Sequence, residues 1–411
     1  MATTPPDATP VGELIAYHRR RRGLSQVKLA GLLGRSESWL SQVERGTRSI
    51  DRISVLLEVA RALEVAPTDL APGSFLLDDA QPEHPTVRTL RMALTGHETL
   101  AGLFGDRQDD TLEPPDLSHL REQVDRAWEL VHGSRYKELS ESLPALLVVM
   151  EAAPRRLEGG DSAAAFALLA ELHQATAGLL AKLGATDLAW LAAERAYLAA
   201  ERSGDPLLAG ISDFRLTYVF LSAGRSAQAQ RVATVAAKAL ETSAGPDSVP
   251  ELLSVWGALN LVAAVIASTQ GDRDLALEHL GNAERAAGWI GEDRNDYHTE
   301  FGPTNVALHS VAISVELGDA GDALRKAADI DTSPLSQERR ARFLIDVARA
   351  HAQRRRAPEA IRALKEAETY APEQVRSHHH VRDMVRDLLR GERRAVNPEL
   401  RKLAQRVGVL P

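Results

Sequence analysis

LSQVKLAGLLGRSESWLSQVERG, residues 24–46, decides the fold of the N-terminal part of the chain. Ser25 is a good N-cap for a first helix, although Lys28 stands where a Glu would complete a capping box, so that box is absent. Leu29, Ala30 and Leu33 give this helix an apolar face, and Ala30 must be small because a second helix crosses close to it. Gly34 is placed to end the first helix, where a left-handed residue fits best. Ser36 then caps the second helix, which turns Leu40 and Val43 inward at helical spacing. Glu37, Ser38, Trp39 and Gln42 are left on its outer face near the N-terminus, where a recognition helix meets base edges.

The flanks extend the same pattern. Residues 11–22 form an amphipathic helix with Leu14 and Ile15 inward and Arg19, Arg20, Arg21 and Arg22 at its basic end, stopped by Gly23. Ile53, Leu56, Leu57, Val59, Ala60 and Leu63 recur at three and four, and residues 66–70 read as a short fifth helix with Pro67 in its first turn. Over residues 11–71 the chain resembles the phage-repressor, or xenobiotic-response-element, class of helix-turn-helix domain, on the pattern LSQ-x-x-LA…GRS-x-SWLSQVERG. The resemblance implies a double-stranded DNA operator, with Gln26 on a backbone phosphate and Glu37, Ser38, Trp39 and Gln42 reading bases. Arg35, Ser36, Arg45 and Arg48 complete the candidate DNA-binding set. The competing reading of the same spacing is a five-helix domain kept only for protein contacts.

Charge is distributed as a selective DNA binder needs. The chain is net −8, the wrong sign for a general nucleic-acid coat. Residues 11–52 nevertheless carry nine basic and four acidic side chains, +5, against −13 elsewhere. Arg19–Arg22 beside Arg45 and Arg48 would clamp phosphates. Glu37 repels phosphate and is useful in the groove only as an acceptor from cytosine N4.

At 411 residues there is length for a second core, and 44% apolar with 26% charged residues is ordinary for a globular protein. The chain has no cysteine, which excludes disulfides and thiol chemistry and fits a cytoplasmic location. Residues 1–10 read as a disordered arm with no signal peptide. The longest apolar stretch, residues 252–267, reads as a buried helix too short to span a bilayer, so no membrane partner is expected. Aromatics are only 4% and alternating β-branched runs are missing, so strands are not expected.

Beyond residue 160 a glycine is followed five residues later by alanine at Gly184/Ala189, Gly224/Ala229, Gly271/Ala276 and Gly318/Ala323, with Arg355/Ala360 in the same frame. Residues four and seven beyond each alanine are small or apolar: Ala193 and Ala196, Ala233 and Ala236, Leu280 and Ala283, Ala327 and Ile330, Leu364 and Ala367. This frame resembles the tetratricopeptide repeat, whose second helix needs small residues where it nests against the first. Such units occur in series because one helix pair cannot bury its apolar face alone, and stacking produces a concave face. A poorer unit is expected around residues 128–150, with Gly133 at its turn. The alternative is an irregular helical domain in an alanine-rich sequence.

Counting back from each glycine directs Gln174, Phe214, Tyr218, Asn305, Arg342 and Arg349 toward the groove; Asn260 and His309 fall one position away. Asn and Gln offer donor and acceptor together and suit a peptide backbone, and arginine suits a carboxylate. The candidate ligand set is Gln174, Phe214, Tyr218, Asn260, Asn305, His309 and Arg349. The insertion GWIGEDRNDYHTEFGPT, residues 288–304, holds Trp289, Tyr297 and Phe301 in an aromatic-poor chain, and is either a plug packed into the groove or part of a ligand site. The combination of such a head with such an array also resembles two families. They are the peptide-pheromone receptors of Gram-positive bacteria and the actinobacterial regulators of the repressor type. A peptide ligand is implied by that resemblance alone.

No catalytic, cofactor or metal motif is recognised: there is no phosphate loop, no HExxH and no spaced nucleophile, base and acid. His378, His379 and His380 on one helix would diverge by about 100° each and could not share a metal. The sequence therefore leads to an all-α protein that is not an enzyme. Its expected parts are an arm (1–10), a helix-turn-helix domain (11–71), a linker with short helices and a hinge at 105–116 (72–116), and a tetratricopeptide-like superhelix (117–411). The expected function is transcription regulation by a homodimer that senses a peptide or small molecule, with the C-terminal helix at 381–389 or the array forming the dimer. The alternative is an adaptor whose array captures a partner protein.

Overall fold

Two serines set the N-terminal domain, and six left-handed joints set the rest. The protein was studied as a computed structural model, which describes residues 11–22, 24–33, 35–46, 53–63, 65, 70, 85–95, 115–391 and 397–410. These residues are all-α, with no strand among them. They fall into two units, residues 1–85 and 86–411.

In the first unit α1 spans Val11–Arg21, α2 Gln26–Leu32, α3 Glu37–Glu44 and α4 Ile53–Leu63. Ser25 Oγ accepts from the Lys28 amide and Ser36 Oγ from the Trp39 amide, both at 3.2 Å, so each serine satisfies a donor that the first helical turn leaves open. Ile15, Leu29, Ala30, Leu40, Val43, Val59, Ala60, Leu63 and Leu70 are buried together. Gly12 is required where α1 meets the end of α3, because a Cβ there would lie 2.1 Å from the Val43 carbonyl oxygen. The expected stops at Gly23 and Gly34, residues 66–69 of the fifth helix and the arm 1–10 lie outside the described residues.

The second unit begins with α5, Pro85–Thr95. Expected as a linker helix, it is built into the array instead. Val87, Leu90 and Leu94 join the array core, Arg91 pairs with Asp187 at 2.7 Å, and Arg195 donates to the Leu94 carbonyl at 2.8 Å. The expected helix near 98–104 and nearly all of the hinge lie outside the described residues.

Six helix pairs follow: α6 Leu117–His132 with α7 Tyr136–Ala152, α8 Gly159–Lys182 with α9 Thr186–Ser203, and α10 Pro206–Ser222 with α11 Ser226–Glu241. The others are α12 Pro250–Thr269 with α13 Arg273–Ile290, α14 Pro303–Glu316 with α15 Ala320–Ala328, and α16 Gln337–Gln353 with α17 Ala357–Tyr370. The short α18 Pro372–Ser377, then α19 His379–Gly391 and α20 Pro398–Arg406, end the chain.

The residue at each joint within a pair is left-handed: Ser134, Gly184, Gly224, Gly271, Gly318 and Arg355, with φ between 52° and 82°. Each joint closes with the same two backbone bonds, as in Gly184 N to Ala181 O at 3.2 Å and Ala185 N to Leu180 O at 2.9 Å. Ala189, Ala229, Ala276, Ala323 and Ala360 are all fully buried, as the frame requires. The first helix pair keeps that frame one residue later than expected: Gly133 has an ordinary φ of −79° and Ser134 takes the left-handed position, with Leu139, Leu143 and Leu146 buried beyond it. The fifth pair is looser, with Ala327 and Ile330 only half-buried because α15 stops at Ala328.

Each first helix packs on the next first helix, whereas second helices pack chiefly on their own partner and the following first helix. The array therefore curves with its first helices inside. The curve brings α16 against α6, and the half-buried Lys182 pairs with Glu338 across α8 and α16. Near that closure Ser134 Oγ donates to Gln374 and the Lys137 amide to Glu373.

Two expectations change here. α12 runs for 20 residues, longer than the apolar stretch suggested, and α8 and α12 are both long and apolar enough to cross a membrane; both are largely buried inside the array as core helices. The three histidines do not share a helix, since His378 is extended and α19 starts at His379. On α19, Val381, Met384 and Val385 are buried in the array core.

Candidate nucleic-acid interface

The outer face of α3 is assembled by one buried carboxylate behind it. Glu44, at the end of α3, accepts from Arg19 Nε at 2.6 Å and Nη2 at 2.9 Å, and from Gln26 Nε2 at 2.7 Å. Arg19 also donates to the Leu24 carbonyl at 2.8 Å. One acid thus ties α1, α2 and α3 together. Burial opposes its ionisation, but the hydrogen bonds from Arg19 and Gln26 outweigh burial and hold the carboxyl below its ordinary value.

This network changes the expected roles. Gln26, expected on a phosphate, turns its amide to Glu44 in the free protein. Arg19 is buried in the ion pair and Arg22 donates to the Ala62 carbonyl at 2.5 Å, so these two act within the domain, while Arg20 is exposed.

On α3 itself Ser36, Glu37 and Ser38 are exposed and Gln42 is half-buried. Trp39, expected to point outward, is half-buried against the core of the domain, and the exposed Arg35 lies over its ring at 5.5 Å. A large indole on so short a helix gains more by covering Leu40 and its neighbours than by standing in water. Arg45 is exposed, with Nε bonded back to the Ser41 carbonyl at 3.1 Å. Arg48 lies outside the described residues. The exposed part of the outer face therefore consists of Arg35, Ser36, Glu37, Ser38 and Arg45, with the half-buried Gln42 beside it; Ser36, Glu37 and Ser38 stand at a helix N-terminus whose dipole favours a phosphate.

The array's inner face is occupied by the chain's own loop, residues 291–302. Phe301 is fully buried against α12, where only Gly257 leaves room: a Cβ there would lie 2.0 Å from the Phe301 ring. Asp296 accepts from Arg294 at 2.7 Å and from Ser254 Oγ at 2.7 Å, and Tyr297 donates to Asp205 at 2.9 Å. His298 stacks on Trp128 with ring centroids 4.2 Å apart and lies 3.2 Å from Glu171. Arg215 donates to the His298 carbonyl at 2.9 Å and stands over the other aromatic partner, Trp128, at 4.8 Å. Glu300 accepts from Ser336 Oγ at 3.0 Å and Arg339 Nε at 3.3 Å, with His132 Nδ1 at 3.2 Å. Burial raises the Glu300 pKa, but these partners bring it down to about 2. The insertion is thus packed into the groove, touching α6, α8, α10, α12 and α16.

The candidate ligand residues are scattered around this loop rather than gathered. Gln174 is buried and donates to Ser212 Oγ at 3.1 Å; Phe214 is part of the core, 5.2 Å from the Tyr218 ring. Tyr218 remains 37% exposed. Asn260 faces α13, where its Oδ1 meets His279 at 2.9 Å and Asn282 at 3.1 Å, so it belongs to the pair's interior and not to the groove. Asn305 is buried with its Oδ1 unpartnered among the described residues, and His309 contacts its carbonyl at 2.8 Å. Burial pushes the His309 imidazole down to about 3. Arg349 is committed to Glu316 at 2.7 Å and Asp346 at 3.2 Å, and Arg342 lies 2.6 Å from His378.

Trp128, His132, Glu171, His298 and Arg339 were not singled out from the sequence. Nothing local marks them, because their partners lie on other repeats far along the chain. The one available signal was that the insertion carries a histidine between two acidic residues.

Comparison with known proteins bears on the head. Residues 11–72 match the helix-turn-helix domain family. Over 67 residues the chain is 38% identical to the HTH-type transcriptional regulator SlrR of Bacillus subtilis, a match covering 16% of this chain and 44% of that protein, so the chain spans less than half the length of this relative. Among solved structures, Bacillus thuringiensis PlcR in complex with the peptide PapR7 and DNA aligns over 85% of this chain and 98% of that one. The identity is 13% and the TM-score 0.33, too low to establish a common architecture. The N-terminal domain of this chain is a helix-turn-helix domain.

Proposed function

We propose that the chain is a cytoplasmic transcription regulator that binds a double-stranded DNA operator as a homodimer, through the N-terminal half of α3. The observation that carries this reading is the exposed polar face of Arg35, Ser36, Glu37 and Ser38, with the half-buried Gln42 beside it, at a capped helix N-terminus in a domain matching the helix-turn-helix family. One head reaches only a few base pairs, so two heads on half-sites about 34 Å apart, or a multiple, supply selectivity. Footprinting on the DNA flanking its own gene tests this: the wild-type chain protects a discrete site, and Ser38→Ala/Gln42→Ala loses or relaxes it. An unchanged footprint would mean that another element reads the sequence.

The array serves in this reading as dimerisation and sensor domain for a peptide or small molecule. Because the groove is filled by residues 291–302, a ligand acts by taking the loop's place and favouring another state of the array. Coupling of the usual size, about 1–3 kcal/mol, changes operator affinity roughly 5- to 150-fold. Tyr218→Ala and Asn305→Ala should remove the ligand response while leaving folding and basal DNA binding intact. Loss of the dimer in these variants would reduce the array to a structural device.

A further inference from the structure

We propose that Asp125, Glu171 and His298 form a binding site for a divalent metal ion of the zinc class, which clamps the groove-filling loop onto the first two helix pairs. The three side chains come from α6, α8 and the loop, and their ligand atoms lie within 4.8 Å of one another. Zinc takes imidazole nitrogen and carboxylate oxygen at about 2.0–2.2 Å, commonly from three side chains with water in the fourth position. Binding would draw these atoms together around the ion, with Asp125 at the exposed rim, where water can take the open position.

Three features set this cluster apart from an ordinary surface ion pair. The imidazole is pre-oriented, since His298 lies flat on Trp128 at an interplanar angle of 7° and points Nε2 toward Glu171. The backbone that delivers it is strained: Tyr297, His298 and Glu300 are all left-handed without being glycine, a conformation kept where surroundings over-determine it. Two carboxylates share one displaceable cation. Arg121 Nη1 is 2.6 Å from Glu171 and 3.7 Å from Asp125, but its side chain is 44% exposed and can swing into water. Exchanging that guanidinium for a divalent ion neutralises both carboxylates and adds a bond to the imidazole. Mixed nitrogen and oxygen donors suit zinc better than calcium or magnesium, which prefer oxygen alone.

The site stands independently of DNA binding. Its test is titration of the EDTA-stripped full chain with Zn²⁺ by calorimetry and with Co²⁺ by visible absorption. One ion per chain is expected, and it should raise the unfolding temperature. Glu171→Gln and His298→Gln should each lose at least the roughly 10–100-fold that disturbing even a supporting residue costs. Asp125→Asn, at an exposed position that does not endanger folding, should weaken binding, and Arg121→Met should bind as tightly as the wild type or more so. The proposal is overturned by the absence of saturable binding. It is equally overturned if Glu171→Gln, His298→Gln and Asp125→Asn all bind like the wild type, which would move the ion to a site such as His378 and His380.

Discussion

The head and the array spend buried charge in opposite directions. In the head one acid, Glu44, faces inward and is satisfied by Arg19 and Gln26, so the far side of α3 remains open to a partner. In the array the inward-facing acids Glu171, Glu300 and Glu338 are each satisfied by a group from another repeat or from the loop, and the concave face is consumed. The lesson is that a groove lined by polar residues is not a free groove. The outer face of α3 is left uncovered by its own domain, whereas the inner face of the array is covered by residues 291–302.

The largest expected effect breaks the array side of this comparison. Phe301→Ala removes the loop's buried anchor and should cost about 3–5 kcal/mol in urea unfolding of the array, with the head's own transition unaffected. A cost under about 1 kcal/mol would show that the loop rests on the groove without being part of the core.

The corresponding change in the head is Glu44→Ala. Removing one partner of a deeply buried pair costs about 3–5 kcal/mol, and about 2–4 is expected here because Glu44 keeps some access to water. Its pH dependence has a definite sign. The folded carboxyl sits below its ordinary value, so its contribution is complete above the usual carboxylate range and is lost as pH falls through the lowered folded value. Wild-type head stability should therefore fall on acidification, with a shallower fall in Glu44→Ala; parallel curves would remove the network from the account.

Smaller effects separate reading from clamping on the exposed face. Gln42→Ala should lose about 1–3 kcal/mol of discrimination in competition binding. Arg45→Ala should weaken all sequences alike and lower the salt slope by about 1. Reversal of these two patterns would exchange their roles.

The smallest effect concerns the joints. Arg355 occupies a left-handed position that glycine fills at four other joints. Strain of about 1–2 kcal/mol is relieved by Arg355→Gly and partly offset by the entropy of the unfolded glycine, leaving a gain of about 0.5 kcal/mol. Thermal unfolding should shift slightly upward; a downward shift would mean that the Arg355 side chain contributes more than its backbone loses.

The head was legible in the sequence because its determinants are local. Ser25 and Ser36 act within their own turns, and Leu29, Leu40 and Val43 follow helical spacing. What escaped was Glu44, whose partner Arg19 is 25 residues away, and the inward lean of Trp39. The repeat frame was legible for the same reason: left-handed joints select glycine and nesting selects alanine. It slipped by one at Ser134, where a serine takes the glycine's place. Groove direction failed at Asn260 because α12 is buried around nearly its whole circumference, so periodicity there assigns no side. That residues 288–304 plug the groove was one of the two readings open from the sequence, but the loop's partners were not legible, since Trp128 on α6 and His298 in the loop meet from distant parts of the chain.

The central claim is that the exposed face of α3 reads a DNA sequence. Its most direct measurement is a titration of the full chain against its footprinted site and against random duplex over a range of salt. The account predicts a site bound at least about 10³-fold more tightly than random DNA, with a negative linear dependence of log affinity on log salt and loss of the preference in Ser38→Ala/Gln42→Ala. Equal affinity for both duplexes at every salt concentration would contradict it.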